Sequence, residues 1–129
     1  MRPLTLVVAG LAAAALCAVA AATPSSKSVL RVVYKRSEQA TPVVRRLDCS
    51  PPGGTVLQPA SACAALEDMV RPFAPVPRNA VCTEIYGGPQ TARVIGWFRG
   101  RRIWVVFRRT NGCEIDRWNR HAFLFPGRA

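Results

Sequence analysis

From Leu4 to Ala22 the chain carries no charged residue and is mostly Leu, Val and Ala. Arg2 precedes this run, and small residues close it as Ala18-Val19-Ala20 and Ala20-Ala21-Ala22. A positive start, an apolar centre and a small-residue end make an export signal. Cleavage is expected after Ala22, with Ala20 fitting nearly as well. Residues 1–22 are then signal peptide and 23–129 one exported domain. An uncleaved anchor is the alternative, since about 19 apolar residues can just cross a bilayer. The alanine content and the cleavage pattern favour removal, so the exported domain is expected to be secreted, with no membrane attachment.

Beyond the leader, apolar residues fall into short runs. Val29 to Tyr34 and Val43 to Asp48 read as strands, rich in β-formers. Ser50-Pro51-Pro52-Gly53-Gly54 reads as a loop. Ala62 to Met69 has helix-forming composition, with Cys63, Leu66 and Val70 on one face. Pro72, Pro75 and Pro77 make the following stretch irregular. Thr91 to Phe98 and Arg102 to Phe107 form the clearest strand pair, joined by a turn at Arg99-Gly100-Arg101. Both faces of that pair are partly apolar, so the outer face is expected to be covered by a helix or by another subunit. Glu114 to Asn119 reads as a short helix and Ala122 to Phe125 as a last strand. The order β-β-α-β-β-α-β is that of an α+β domain, a single antiparallel sheet of about five strands with two short helices.

Charge and composition narrow the function. Lys and Arg number 18 against 7 acids, for a net charge of +11, and nearly all the cations are Arg. Arg99, Arg101, Arg102, Arg108 and Arg109 surround the hairpin, with Trp97, Phe98 and Trp104 interleaved. Such a pattern can hold a polyanion. It can equally solvate a sheet edge and block aggregation. An exported protein meets little nucleic acid, so the second account is favoured and no nucleic-acid partner is expected. His121 is the single histidine. Chemistry with two imidazoles is excluded, and a lone histidine this near the end of the chain is expected to be a surface or structural residue. Gly53-Gly54 and Gly87-Gly88 lack the helix start and Lys of a phosphate loop. No enzyme, no metal and no cofactor are expected.

Cys17 leaves with the signal, and Cys49, Cys63, Cys82 and Cys113 remain. An even number of cysteines in a small exported chain argues for two disulfides. Spacing alone allows three pairings and chooses none. Val81-Cys82-Thr83-Glu84-Ile85-Tyr86-Gly87-Gly88-Pro89 follows the Pro-rich stretch and precedes a strand. It should be exposed, extended and tied at one end by a bridge. An ordinary connection has these features, and so does a loop that enters a protease cleft as an added strand.

Cys49, Cys63, Cys82-Thr83-x-x-Tyr86 and Asn111-Gly112-Cys113-Glu114 together resemble the Streptomyces subtilisin inhibitor family. The similarity runs from about Val29 to Phe125. It implies bridges Cys49–Cys63 and Cys82–Cys113, and inhibition of secreted serine proteases by a substrate-like loop. The reactive bond would be Glu84–Ile85. Cys82, Thr83, Tyr86 and Gly87 would complete the binding loop, and Asn111 would brace it from beneath. The resemblance also implies a homodimer through the sheet. Two features depart from the family. Glu84 stands where Met, Lys or Arg is common, which bears on the target, and Gly87-Gly88-Pro89 makes the loop one residue longer. The alternative function is a secreted basic binding protein that keeps the fold without inhibiting.

Overall fold

A computed structural model describes residues 27–127; the expected signal segment lies outside them. The chain folds into an antiparallel sheet with helices on one face. β1 (Val29–Lys35) and β2 (Val43–Cys49) are followed by β3 (Pro52–Gly54) and α1 (Pro59–Asp68). β4 (Thr91–Phe98), β5 (Arg101–Phe107), α2 (Gly112–Arg120) and a 3-10 turn over Ala122–Leu124 complete the order. The strands lie as β3-β2-β1-β4-β5.

Alternation along the strands decides which face is buried. Leu30, Val32, Leu47, Ala92, Val94, Phe98 and Phe107 point inward. Ala62, Cys63 and Leu66 of α1 and Trp118 of α2 close over them. Cys49–Cys63 ties β2 to α1 and Cys82–Cys113 ties an extended segment to α2, the pairing the resemblance implies.

The strand count is as expected, but its membership differs. Pro52–Gly54, expected as loop, is the edge strand β3, paired with Leu47 to Cys49. A proline is tolerated at a strand's first residue on an edge. Gly54 takes φ 108°, and a Cβ there would stand 2.2 Å from the Arg46 carbonyl oxygen. Ala122 to Phe125, expected as a strand, is the 3-10 turn and its exit. A short apolar run has no periodicity of its own. Here it begins one residue after α2 and packs by its rings: Phe125 lies 4.5 Å from Trp118 and 5.4 Å from Phe107, centre to centre. Val70, expected on the buried face of the first helix, is 88% exposed. The helix stops at Asp68, and Pro72 disfavours helical geometry just before it.

The β4–β5 turn is two residues, Arg99 at φ 49° and Gly100 at φ 73°. Arg99 holds that unusual conformation through its contacts. Its N–H donates to Ser28 Oγ at 3.0 Å, and its guanidinium donates to the Glu67 carbonyl at 2.8 Å and to the Glu67 carboxylate at 3.1 Å. The hairpin tip is thus fastened to the end of α1.

Candidate functional site

Between the Pro-rich stretch and β4 the segment Val81 to Pro89 has no regular secondary structure. It is extended and strongly exposed: Val81 is 100%, Ile85 57% and Tyr86 67% accessible, and Thr83 and Glu84 are also exposed. An exposed loop without a sheet ladder is normally mobile. This one is fastened at three points to a single short platform, Arg109 to Cys113. Cys82 is bridged to Cys113, with 5.3 Å between their Cα atoms. The Thr83 carbonyl accepts from the Gly112 N–H at 2.9 Å. The Gly87 N–H donates to the Arg109 carbonyl at 2.7 Å. The two hydrogen bonds bracket Glu84, Ile85 and Tyr86, whose side chains are left to solvent.

Two glycines make this approach possible. A Cβ on Gly112 would stand 2.1 Å from Thr83 Oγ1. A Cβ on Gly87 would stand 2.9 Å from Ile115 Cδ1 and 3.1 Å from Arg109 Cβ. Asn111 is at the platform, but its side chain does another task than the direct brace expected. Its Oδ1 caps α2 by accepting from the Glu114 N–H at 3.0 Å. An N-cap of this kind contributes about 1 kcal/mol to a helix. Asn111 thereby sets the first turn of α2, where Gly112 and Cys113 stand.

Residues 24–111 match the subtilisin inhibitor-like family. The chain belongs to that family. Its members are inhibitors of proteases, not enzymes. Among relatives, subtilisin inhibitor-like protein 1 of Streptomyces cacaoi is 36% identical over 84 residues, covering 61% of this chain and 76% of the relative. The fold is also similar to Streptomyces caespitosus sermetstatin, solved in complex with Bacillus licheniformis subtilisin. That likeness has a TM-score of 0.46 and 25% identity, and covers 78% of this chain and 98% of the other.

In this member of the subtilisin inhibitor-like family, α2 and Cys113 lie beyond the matched span, and a buried cation holds them in place. Arg117 is 5% exposed. Its guanidinium donates to the carbonyls of Ala74 and Val106 at 3.0 Å each and lies 4.3 Å from the Phe107 ring centre. It also meets the Glu114 carboxylate at 3.4 Å. One side chain thus joins the Pro-rich stretch, β5 and α2. A buried charge needs partners of this kind. Sequence reasoning did not single out Arg117, and it grouped Arg109 with the hairpin, although Arg109 stands under the loop.

His121 is a core residue. It is 3% exposed, its Nδ1 lies 2.8 Å from the Arg117 carbonyl oxygen, and its ring centre is 4.7 Å from that of Phe107. Burial pushes its imidazole below the ordinary value, and the Arg117 and Arg120 charges act in the same direction. Its expected structural role holds; an expected surface position does not.

Proposed function

We propose that the protein is a secreted inhibitor of serine endopeptidases that works by the standard substrate-like mechanism, with Glu84–Ile85 as its reactive bond. The observation that carries this reading is the pair of main-chain hydrogen bonds from Thr83 and Gly87 to one platform, on either side of that bond. A loop already ordered in the shape of a bound strand loses little conformational entropy when a protease cleft closes on it. When the protease serine attacks the Glu84 carbonyl and the bond to Ile85 opens, both new ends remain held. The Glu84 side is held by Cys82 and Thr83, the Ile85 side by Gly87. The Ile85 amine then stays within reach of the acyl carbon, and religation competes with hydrolysis.

Glu84 would occupy the protease's primary pocket, which points to a secreted enzyme that cleaves after Glu. Cys82, Thr83, Tyr86 and Gly87 would form the rest of the contact strand. The apolar leader supports export. The family resemblance also supports a homodimer through the outer sheet face, where Val44, Trp97 and Trp104 are exposed. The deciding experiment incubates the oxidised protein with a panel of secreted serine proteases at acid and neutral pH. Slow, reversible cutting between Glu84 and Ile85, with inhibition that survives it, is expected. Rapid cutting elsewhere in the loop, or no inhibition at micromolar concentration, overturns the reading.

A further inference from the structure

Asn111-Gly112 is the one Asn-Gly pair in the chain; the other asparagines, Asn79 and Asn119, precede Ala80 and Arg120. An asparagine followed by glycine is chemically labile. The glycine nitrogen has no neighbouring side chain to shield it. It can attack the asparagine side-chain carbon and close a succinimide ring. Asn111 and Gly112 are both partly exposed, so water reaches them.

The atoms this reaction needs are the ones that seat the loop. The attacking nitrogen is that of the Gly112 N–H, which donates to the Thr83 carbonyl at 2.9 Å. The amide under attack is the N-cap of α2, whose Oδ1 accepts from the Glu114 N–H at 3.0 Å. Asn111 is extended, at φ −156° and ψ 175°. Ring closure has to bring the Gly112 nitrogen into line with Asn111 Cβ, which turns ψ away from that value. The turn cannot be made with both hydrogen bonds in place. A seated loop therefore protects the pair, and a lifted loop releases it.

We propose that Asn111-Gly112 is a spontaneous deamidation site that disarms the reactive loop, and that the loop's own attachment sets its pace. The Gly112 nitrogen gives up its proton and bonds to Asn111 Cγ. The bond from Cγ to the amide nitrogen breaks, and ammonia leaves with the proton. Water then opens the ring at one of its two carbonyls, and nothing is oxidised or reduced. Opening at Cγ restores the normal chain with aspartate at position 111. Opening at the main-chain carbonyl leaves the chain running through Cγ, as isoaspartate, one carbon longer. Aspartate caps a helix as well as asparagine does, and its charge suits a helix start. Isoaspartate instead takes the Asn111 main-chain carbonyl, which accepts from the Ile115 N–H at 2.9 Å, out of the chain. It also displaces Gly112 and Cys113 from beneath Thr83, where the fit is too close even for a Cβ. The loss of inhibition rests on the inhibitor reading; the deamidation does not.

The test incubates the oxidised protein at mildly alkaline pH and follows position 111 by peptide mapping, with Asn79 and Asn119 as internal references. Ion exchange separates the asparagine, aspartate and isoaspartate forms, and each is assayed for inhibition and for the rate at which its loop is cut. Isoaspartate is expected at position 111 well before any change at 79 or 119. It should form roughly 5- to 150-fold faster in urea, where two hydrogen bonds no longer have to open. Under conditions where both remain folded, Cys82→Ser with Cys113→Ser should quicken it more than Cys49→Ser with Cys63→Ser. The isoaspartate form should inhibit about tenfold more weakly than the aspartate form, the worth of one lost hydrogen bond, and its loop should be cut faster. Asn111→Ser can cap but cannot cyclise, so whatever its starting strength it should not decay. Loop cutting reports attachment even where no protease is inhibited, which separates a failure here from a failure of the inhibitor reading. Three results overturn the proposal: position 111 changes no faster than 79 or 119, the isoaspartate form keeps full inhibition and slow cutting, or the two bridge variants deamidate alike.

Discussion

Gly112 gives Thr83 its N–H and no side chain. The hydrogen bond is 2.9 Å long, and a Cβ on Gly112 would fall 2.1 Å from Thr83 Oγ1. The loop can sit this low on α2 because the platform residue beneath it is glycine. Gly112→Ala must therefore lift Thr83 or turn its side chain. We expect inhibition to weaken about 3- to 30-fold, the worth of a strained or lost hydrogen bond plus some strain, with little change in melting temperature. Thr83→Ala removes the clashing oxygen. Adding Gly112→Ala to Thr83→Ala should cost clearly less than adding it to wild type, which inhibition constants for the four proteins will test. Equal costs in both backgrounds would show that the clash is not the cause.

The Cys82–Cys113 bridge closes 31 residues of chain. Chain entropy assigns a loop of that length about 3–4 kcal/mol. Replacing both cysteines by Ser should lower the urea midpoint accordingly. Inhibition should suffer more than folding, since this bridge fastens the loop itself, whereas Cys49–Cys63 fastens β2 to α1. Comparing the two double variants by unfolding and by inhibition separates the effects. Peptide mapping of the non-reduced protein should find these two pairs and no free thiol.

Much of this was legible beforehand. The four long strands show alternation or dense β-formers, and Arg99-Gly100 marks the hairpin, so both are legible from local signals. Pro52-Gly53-Gly54 carries turn chemistry, and only its partner Leu47 to Cys49 makes it a strand. Ala122 to Phe125 is apolar without period, and its ring contacts with Trp118 and Phe107 decide its shape. The loop was found through Cys82 and its neighbours. Of its platform the resemblance implies Asn111 and Cys113, but not Arg109 or Arg117, because these act through contacts distant in sequence, Gly87 to the Arg109 carbonyl and Arg117 to the Ala74 carbonyl, 43 residues away. The hairpin arginines look alike in sequence, and only packing distinguishes them.

Arg99 and Arg101 make that distinction testable. Arg99 bonds Ser28, Glu67 and Met69 from a turn position, while the Arg101 side chain makes no hydrogen bond among the described residues. Arg99→Ala should cost about 1–3 kcal/mol of stability. Arg101→Ala should stay within about 0.5 kcal/mol. Both lie at the far end of β4 and β5 from the loop, so inhibition at physiological salt should change less than about threefold. Denaturant midpoints and inhibition constants provide the readout. A hundredfold loss of inhibition would place the hairpin in the protease contact.

His121 predicts a loss of stability in mild acid. Its folded imidazole is held below the ordinary value by burial, so the unfolded chain takes up the proton first. The contribution is intact above the unfolded value of about 6.5, is lost as pH falls from there toward the depressed folded value, and levels off below it. The slope cannot exceed about 1.4 kcal/mol per pH unit for one proton. His121→Phe keeps a ring against Phe107 and removes the titration. Urea midpoints between pH 7.5 and 5 should fall for the wild type and stay flatter for the variant. Parallel curves would assign the acid loss to carboxylates instead.

With Glu84–Ile85 as the proposed reactive bond, selectivity is expected to rest on Glu84, which is exposed in the loop. In a protease's primary pocket its carboxylate is stripped of water, so the pocket must return cationic or hydroxyl donors. Apolar pockets of the subtilisin kind supply few, and acidic pockets of the trypsin kind repel it. The strongest inhibition is therefore expected for a secreted protease that cleaves after Glu. Glu84→Lys should move the preference to trypsin-like enzymes, and Glu84→Met or Glu84→Leu to subtilisin-like ones. Each exchange should shift affinity by roughly 2–5 kcal/mol, about 30- to 3000-fold, as for an interfacial charge buried without its partner. The platform contacts of Thr83 and Gly87 are main-chain and do not involve this side chain. All four proteins should accordingly keep the same melting temperature while their inhibition constants diverge across three protease classes. If the four inhibit every class alike, Glu84 does not enter the pocket and the reactive bond lies elsewhere in the loop.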